Sequence, residues 1–227
     1  MTKKIIVNGK ENIPKKGAVL FMVNHPNGLI DPLIVTTNNP RTNYFLTRAA
    51  SFKKPLVRWF LNSLNLIPIY RMRDGVNQLN KNKGVFEKCF NLLDSHKALM
   101  IFPEGSHDKR RTVRNLSKGF SRIVFGAIER NPKLQIQIIP VGISYQDQSS
   151  YPFKVSLNYG TPILANDFYK TNFNHSDIKK IKDVISDQLK VLSVHIPLTE
   201  DYEKWIEKLN SANVDFTKVD EVNSMIQ

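Results

Sequence analysis

Apolar runs at 4–7, 17–23, 43–47, 66–70, 98–102, 135–145 and 153–159 alternate along this chain with segments of helical period at about 30–38, 53–63, 77–96, 117–130 and 175–194. A short apolar run bounded by turn residues reads as a buried strand, and a 3.6-residue recurrence reads as an amphipathic helix. Strands that alternate with helices bury both by stacking the helices on the two faces of one sheet. The pattern predicts an α/β fold: a single domain over 1–227, with a mixed, largely parallel sheet of about seven strands flanked by helices. Ile178, Ile181, Ile185, Leu189 and Leu192 form one stripe on the helix over 175–194, with Ser176 as its expected cap. A last helix is expected over 201–209, with Tyr202, Trp205 and Leu209 on its packed side, so that C-terminal helices occupy 175–210. Beyond Asn210 the chain is polar and expected to fray.

At 227 residues and 41% hydrophobic content the chain can bury one large core, and no Pro/Gly/Ser-rich linker divides it. A single cysteine, Cys89, rules out an internal disulfide. The first residues carry lysines and no long apolar stretch, and no window holds the roughly 18 uninterrupted apolar residues of a membrane span. Both features lead to the expectation of a cytoplasmic protein. The remaining histidines, His96, His107, His175 and His195, show no metal-ligand spacing, so no metal is expected.

Residues 24–32 read NHPNGLIDP and follow the apolar run 18–23 directly. Neutral imidazole, with an ordinary pKa near ~6.5, accepts a proton from an alcohol, and a carboxylate on its other nitrogen holds the tautomer and stabilises the imidazolium. His25 is the candidate base and Asp31 its partner. Six positions apart, they cannot share a helix face, where neighbours are three or four apart. The Pro26-Asn27-Gly28 turn has to bring them together, with Asn27 and Gly28 expected to accept left-handed conformations. Taken alone the pattern is short, and turn, cap and surface roles are its commoner meaning.

Three further segments change its weight: LIPIYR at 66–71, FPEGS at 102–106 and IIPVGI at 138–143, in that order. With NHPNGLIDP they resemble the four blocks of the glycerolipid acyltransferase family, which includes lysophosphatidic acid and glycerol-3-phosphate acyltransferases. The blocks lie within 18–145, and the resemblance covers roughly 5–165. It implies a glycerol-phosphate acyltransferase-like fold, His25 as general base and Asp31 as its charge partner. It also implies that Arg71 holds an acceptor phosphate, that Glu104 and Gly105 shape the acceptor site, and that Pro140 walls the acyl-donor site. A covalent acyl-enzyme is not implied, which agrees with the absence of a G-x-S-x-G elbow and with Cys89 lying in an amphipathic segment.

The chain departs from the family pattern twice. Five residues separate His25 from Asp31 where four are commoner, which resembles a subset with proline after the histidine. After FPEGS the family often has an arginine, whereas here Ser106 is followed by His107 and Asp108. Arg110, Arg111 or Arg114, in the basic run 109–119, is the candidate replacement, with Ser106 beside it. FPEGS ends an apolar run, and ends of strands are where α/β sheets place ligand sites. Arginine recognises phosphate bidentately, although exposed arginines are more often only solvated.

The expected function is transfer of a fatty acyl chain from an acyl thioester, acyl-CoA or acyl carrier protein, to a hydroxyl of a lysophospholipid-like acceptor, 1-acyl-glycerol-3-phosphate first. Glycerol-3-phosphate or an acylated amino acid are alternative acceptors, and a catalytically inactive lipid-binding protein is the alternative of another class. No cofactor beyond the donor is expected. The net charge of +13 suits an anionic membrane surface, and the segment 51–66 mixes cations with aromatic and aliphatic groups as an interfacial helix or a core helix with a basic outer face. The resulting expectation is a peripheral protein on the inner face of the membrane. Nucleic acid is not an expected partner, because no RNP, zinc-finger or helix-turn-helix signature accompanies the charge.

Overall fold

The computed structural model describes residues 4–28, 30–52, 54–70, 80–149, 151–171 and 173–226. One sheet organises them. Its strands are β1 (Lys4–Asn8), β2 (Ala18–Val23), β3 (Asn43–Arg48), β4 (Leu66–Ile69), β5 (Ala98–Ile101), β6 (Ile136–Tyr145), β7 (Lys154–Tyr159) and the short β8 (Ile163–Leu164). They lie in the order β1-β7-β6-β2-β5-β3-β4, with β8 pairing β6. Every pairing is parallel except β6 with β7 and β6 with β8. The sheet is therefore mixed and largely parallel, as the alternating pattern predicts.

The helices are α1 (Ile30–Thr37), α2 (Pro55–Ser63), α3 (Asn82–Asp94), α4 (Gly119–Arg130), α5 (His175–Leu192), α6 (Tyr202–Ser211) and α7 (Val219–Ile226). The helix predicted over 77–96 is seen over α3, residues 71–79 lying outside the described part of the chain. All six residues of β2 are buried, as a strand covered on both faces must be. Its period-two alternation feeds two cores. Leu20 and Met22 pack with Val85, Cys89, Phe120, Val124, Ile181 and Ile185 from α3, α4 and α5. Val19, Phe21 and Val23 pack with Ile34 and Val35 of α1 on the opposite face.

Pro140 is buried within β6 and has no N–H to donate. It falls between Gln137 and Ile138, which pair β8, and 141–145, which pair β7, so its missing donor interrupts neither ladder. Its carbonyl accepts the Gly160 N–H at 2.9 Å. Two places further, a Cβ on Gly142 would lie 2.0 Å from the Leu192 carbonyl oxygen, so only glycine lets the end of α5 cross β6 this closely.

Two expectations about the C-terminal third are corrected. α5 is capped by Asn174 rather than Ser176: the Asn174 side chain accepts from the Ser176 and Asp177 N–H groups, and the Asp177 carboxylate accepts from Asn174 N–H. The reciprocal pair is a capping box, and it lies two positions before the expected cap. The chain after Asn210 also does not fray. Phe216, Val219 and Val222 close a third core with Val194, Ile196, Tyr202 and Leu209, because the polar composition of the segment conceals a periodic apolar face.

Candidate active site

The first block leaves β2 at Asn24, whose buried side chain makes a two-way clasp with β6. Its Nδ2 donates to the Ile143 carbonyl at 3.0 Å, and its Oδ1 accepts the Ile143 N–H at 2.7 Å. The turn then closes through the Asn27 carbonyl, which accepts the N–H groups of Ile30 and Asp31 at 3.1 Å each. Asp31 thus enters the first turn of α1, where free N–H groups and the helix dipole favour a carboxylate. Neither Asn27 nor Gly28 is left-handed, contrary to the expectation for this reversal. What Gly28 provides is room, since an added Cβ would just reach the His107 ring at 3.4 Å.

His25 Nδ1 lies 2.9 Å from Asp31 Oδ2, which also accepts the Asn27 N–H at 2.7 Å. Asp31 is wholly buried, whereas the His25 side chain keeps 14% of its surface exposed. With Nδ1 donating to the carboxylate, the tautomer leaves Nε2 as the proton acceptor. The imidazole stacks on Phe102 at 4.0 Å between centroids and 23° between planes, and His107 meets it edge-on at 6.0 Å. Phe102 of the third block therefore supplies one wall of the base, and the Asp108 N–H, two residues past that block, donates to the His25 carbonyl.

Tyr145, at the end of β6, donates its hydroxyl to Asp31 Oδ1 at 2.7 Å in a buried bond. Burial pushes the Asp31 carboxyl above its ordinary value, and donors from His25, Tyr145 and Asn27 oppose that rise. Burial and the neighbouring carboxylate push the Tyr145 phenol up as well, which keeps it a donor. Tyr145 and Asn24 were not among the expected site residues. Tyr145 carries no spacing signal, because it lies 114 positions from its partner.

Glu104 follows β5 with its side chain 3% exposed and is clamped by Arg114. Arg114 Nε and Nη2 both donate to Glu104 Oε2, at 2.9 and 2.7 Å, while Nη1 donates to Ser106 Oγ at 3.0 Å and Nη2 also meets the Ser106 carbonyl. Burial pushes the Glu104 carboxyl up, against the pull of Arg114 and a lesser one from His25. Gly105 between them has φ 76°, a left-handed turn that glycine adopts freely.

The other basic candidates are engaged elsewhere. Arg110 pairs with Asp108 at 2.5 Å on the surface, and that pairing first of all holds the Asp108 carboxyl down to about 2. Arg111 is bound at the end of β6, donating to the Tyr145 and Gln146 carbonyls at 2.7 and 2.9 Å and lying 3.6 Å over the Phe216 ring. Burial pulls its guanidinium down to about 10. Of the arginines expected as replacements in the third block, Arg114 is the one joined to Glu104 and Ser106. Arg71, expected as a phosphate ligand, lies outside the described residues. Among the described residues, no group of three or more His, Cys, Asp or Glu side chains is arranged to hold a metal ion.

An imidazole backed by a buried carboxylate thus lies at the strand ends of an α/β sheet, an arrangement chemically able to accept a proton. Residues 4–144 match the family described as Acyltransferase, and the chain belongs to that family. It is 26% identical over 163 residues to a 1-acyl-sn-glycerol-3-phosphate acyltransferase of Borreliella burgdorferi, covering 72% of this chain and 60% of that protein. It is 25% identical over 124 residues to glycerol-3-phosphate O-acyltransferase 1 of Saccharomyces cerevisiae, covering 52% of this chain and 16% of the relative. The chain thus spans less than two thirds of the length of these curated relatives. In fold it resembles the crystal structure of the 1-acyl-sn-glycerophosphate (LPA) acyltransferase PlsC of Thermotoga maritima, with a TM-score of 0.56 at 20% identity, covering 82% of this chain and 71% of that one.

Proposed function

We propose that this chain transfers a fatty acyl group from an acyl thioester, acyl-CoA or acyl carrier protein, to the free hydroxyl of 1-acyl-glycerol-3-phosphate, as a peripheral protein at the inner face of the membrane. The observation that carries this reading is the 2.9 Å bond between His25 Nδ1 and buried Asp31, which leaves Nε2 to take a proton. The acceptor hydroxyl gives its proton to Nε2 as its oxygen attacks the thioester carbonyl. The tetrahedral intermediate collapses to the ester, and the thiolate leaves with the proton returned by the imidazolium. General-base positioning of this kind is worth about 10²- to 10⁴-fold.

Glu104, Gly105 and Ser106 form the acceptor end in this reading, with Arg71 as a phosphate ligand. Of the three candidate replacements, Arg110, Arg111 and Arg114, this reading takes Arg114, since its guanidinium is the one bonded to Glu104 and Ser106. Pro140 contributes to the donor side only through β6, being buried inside that strand. The relative from Borreliella burgdorferi, matched over most of this chain, is named for the proposed acceptor, which favours it over glycerol-3-phosphate.

The test is purified protein given a radiolabelled acyl-thioester and a panel of acceptors: lysophosphatidate, glycerol-3-phosphate and a lyso-aminolipid. The proposal expects labelled phosphatidate, absent with His25→Ala. Labelled product from another acceptor alone would move the assignment to that acceptor, and no product from any would leave a lipid-binding protein.

A further inference from the structure

α2 presents two large apolar side chains outward. Leu56 is 78% exposed and Trp59 70%, and Leu64 just beyond the helix is 48% exposed. Leu56 and Trp59 are one turn apart and share a face. At about 100° per residue, Trp59 has Leu56 about 60° to one side and Arg58 about 100° to the other. Arg58 is exposed, and so is Lys54 one turn earlier, so the outward arc runs from aliphatic through indole to cationic. Indole, apolar along its body and polar at one N–H, favours the boundary between water and hydrocarbon.

The topology sets α2 on the same face of the sheet as α1, whose first turn carries Asp31. α1 joins β2 to β3 and α2 joins β3 to β4, both crossovers running the same way across parallel strands. The right-handed rule for such crossovers puts the two helices on one face of the sheet. On that face α1 carries Asp31 in its first turn and, two positions on, Leu33, which is 53% exposed.

We infer that the outer arc of α2, with Leu33 of α1, is the surface by which this protein sits on an anionic lipid bilayer, bringing the mouth of the His25–Asp31 site to the lipid. The cations beside Trp59 and the net charge of +13 match an anionic headgroup layer. A second copy of the chain fits less well, because two chains of net charge +13 repel one another, whereas an anionic bilayer attracts the cations of this arc. The inference rests on the acyltransfer reading for its purpose, whereas the contact itself can be measured without turnover.

Trp59 and Trp205 are the two tryptophans, so Trp205→Phe leaves Trp59 as sole reporter. Mixed with vesicles of phosphatidylglycerol and phosphatidylethanolamine, this variant should show a blue-shifted emission quenched by brominated acyl chains. Binding should fall with salt and with phosphatidylcholine vesicles. Leu56→Glu and Trp59→Ala, checked for unchanged circular dichroism and melting, should weaken vesicle binding at least tenfold. Leu56→Glu should also slow transfer to a vesicle-borne acceptor while sparing a detergent-dispersed one. An unshifted Trp59, or variants that bind vesicles as well as the parent, would overturn the inference. So would Leu56→Glu splitting a dimer seen by light scattering without altering vesicle binding. Vesicle binding through Trp59 with no acyl transfer to any acceptor would leave this surface standing and remove only the proposed chemistry.

Discussion

The Tyr145 hydroxyl lies 2.7 Å from Asp31 Oδ1, on the opposite oxygen of the carboxylate from the one that holds His25. The last residue of β6 thereby fixes the group that orients the imidazole on the neighbouring strand. A hydrogen bond to a charged group contributes about 1.5–3 kcal/mol, and here part of it holds the geometry of the His25–Asp31 pair.

Tyr145→Phe is expected to lower kcat about tenfold, roughly 1.4 kcal/mol in the barrier, with little change in KM. The tyrosine donor is one of the contacts opposing the burial-driven rise of the Asp31 carboxyl. Removing it pushes that carboxyl up further, so Asp31 takes a proton at a higher pH and the acid limb of the kcat profile moves to higher pH. A profile that falls in height without moving along the pH axis would reduce Tyr145 to a packing residue.

His25→Ala is expected to cost about 10²- to 10⁴-fold in kcat with the fold retained, the melting temperature falling modestly as the ring's contact with Phe102 and its bond to Asp31 are lost. Asp31→Asn should lose comparable activity and stability as well. Oδ2 of this wholly buried carboxylate accepts two donors, and an amide can match only part of that pattern. Single-turnover kinetics beside thermal melts separates the two cases.

The dyad was legible because both members sit in one nine-residue turn, and the strand before it announced itself by six consecutive buried apolar residues. The partners that complete it were not. Asn24 looked like any turn asparagine, yet its amide bridges to Ile143, 119 positions away. Tyr145 became visible only once the sheet placed β6 beside β2. In the run 109–114 the arginines look alike in sequence. What separates them is which acceptor each meets after folding: Asp108 for Arg110, two β6 carbonyls for Arg111, Glu104 for Arg114. The tail after Asn210 misled because polar composition outweighed a short apolar period.

Cys89 is buried in α3, and burial pushes its thiol up to about 12. At pH 8 its thiolate fraction is then about 10⁻⁴, too small for a nucleophile or for rapid alkylation. N-ethylmaleimide should leave native protein unlabelled and acyl transfer intact, with labelling only after unfolding in guanidinium. Mass spectrometry of the intact chain reads this directly, and an acyl group found on Cys89 would return a covalent intermediate to consideration.

Arg114 and Arg111 should part company under alanine substitution. Arg114→Ala leaves Glu104 buried without its cation, the kind of loss that costs about 3–5 kcal/mol. The Glu104 carboxyl, already raised by burial, would rise further once the opposing Arg114 contacts are gone. A carboxyl whose folded value exceeds its unfolded value favours the native state most when protonated. The variant should therefore be most stable at pH below the ordinary 4.5, and lose stability as pH rises through the elevated folded value. Adding Glu104→Gln to Arg114→Ala should flatten that dependence. Arg111→Ala instead removes two bonds to strand carbonyls and the contact with Phe216, loosening α6 and α7 at about 1–3 kcal/mol. Its loss should appear as a lower melting temperature with no such pH dependence and an unchanged KM for the phosphorylated acceptor, whereas Arg114→Ala should raise that KM. Equal effects of the two variants on KM would mean that Arg114 has no special relation to the acceptor end of the site.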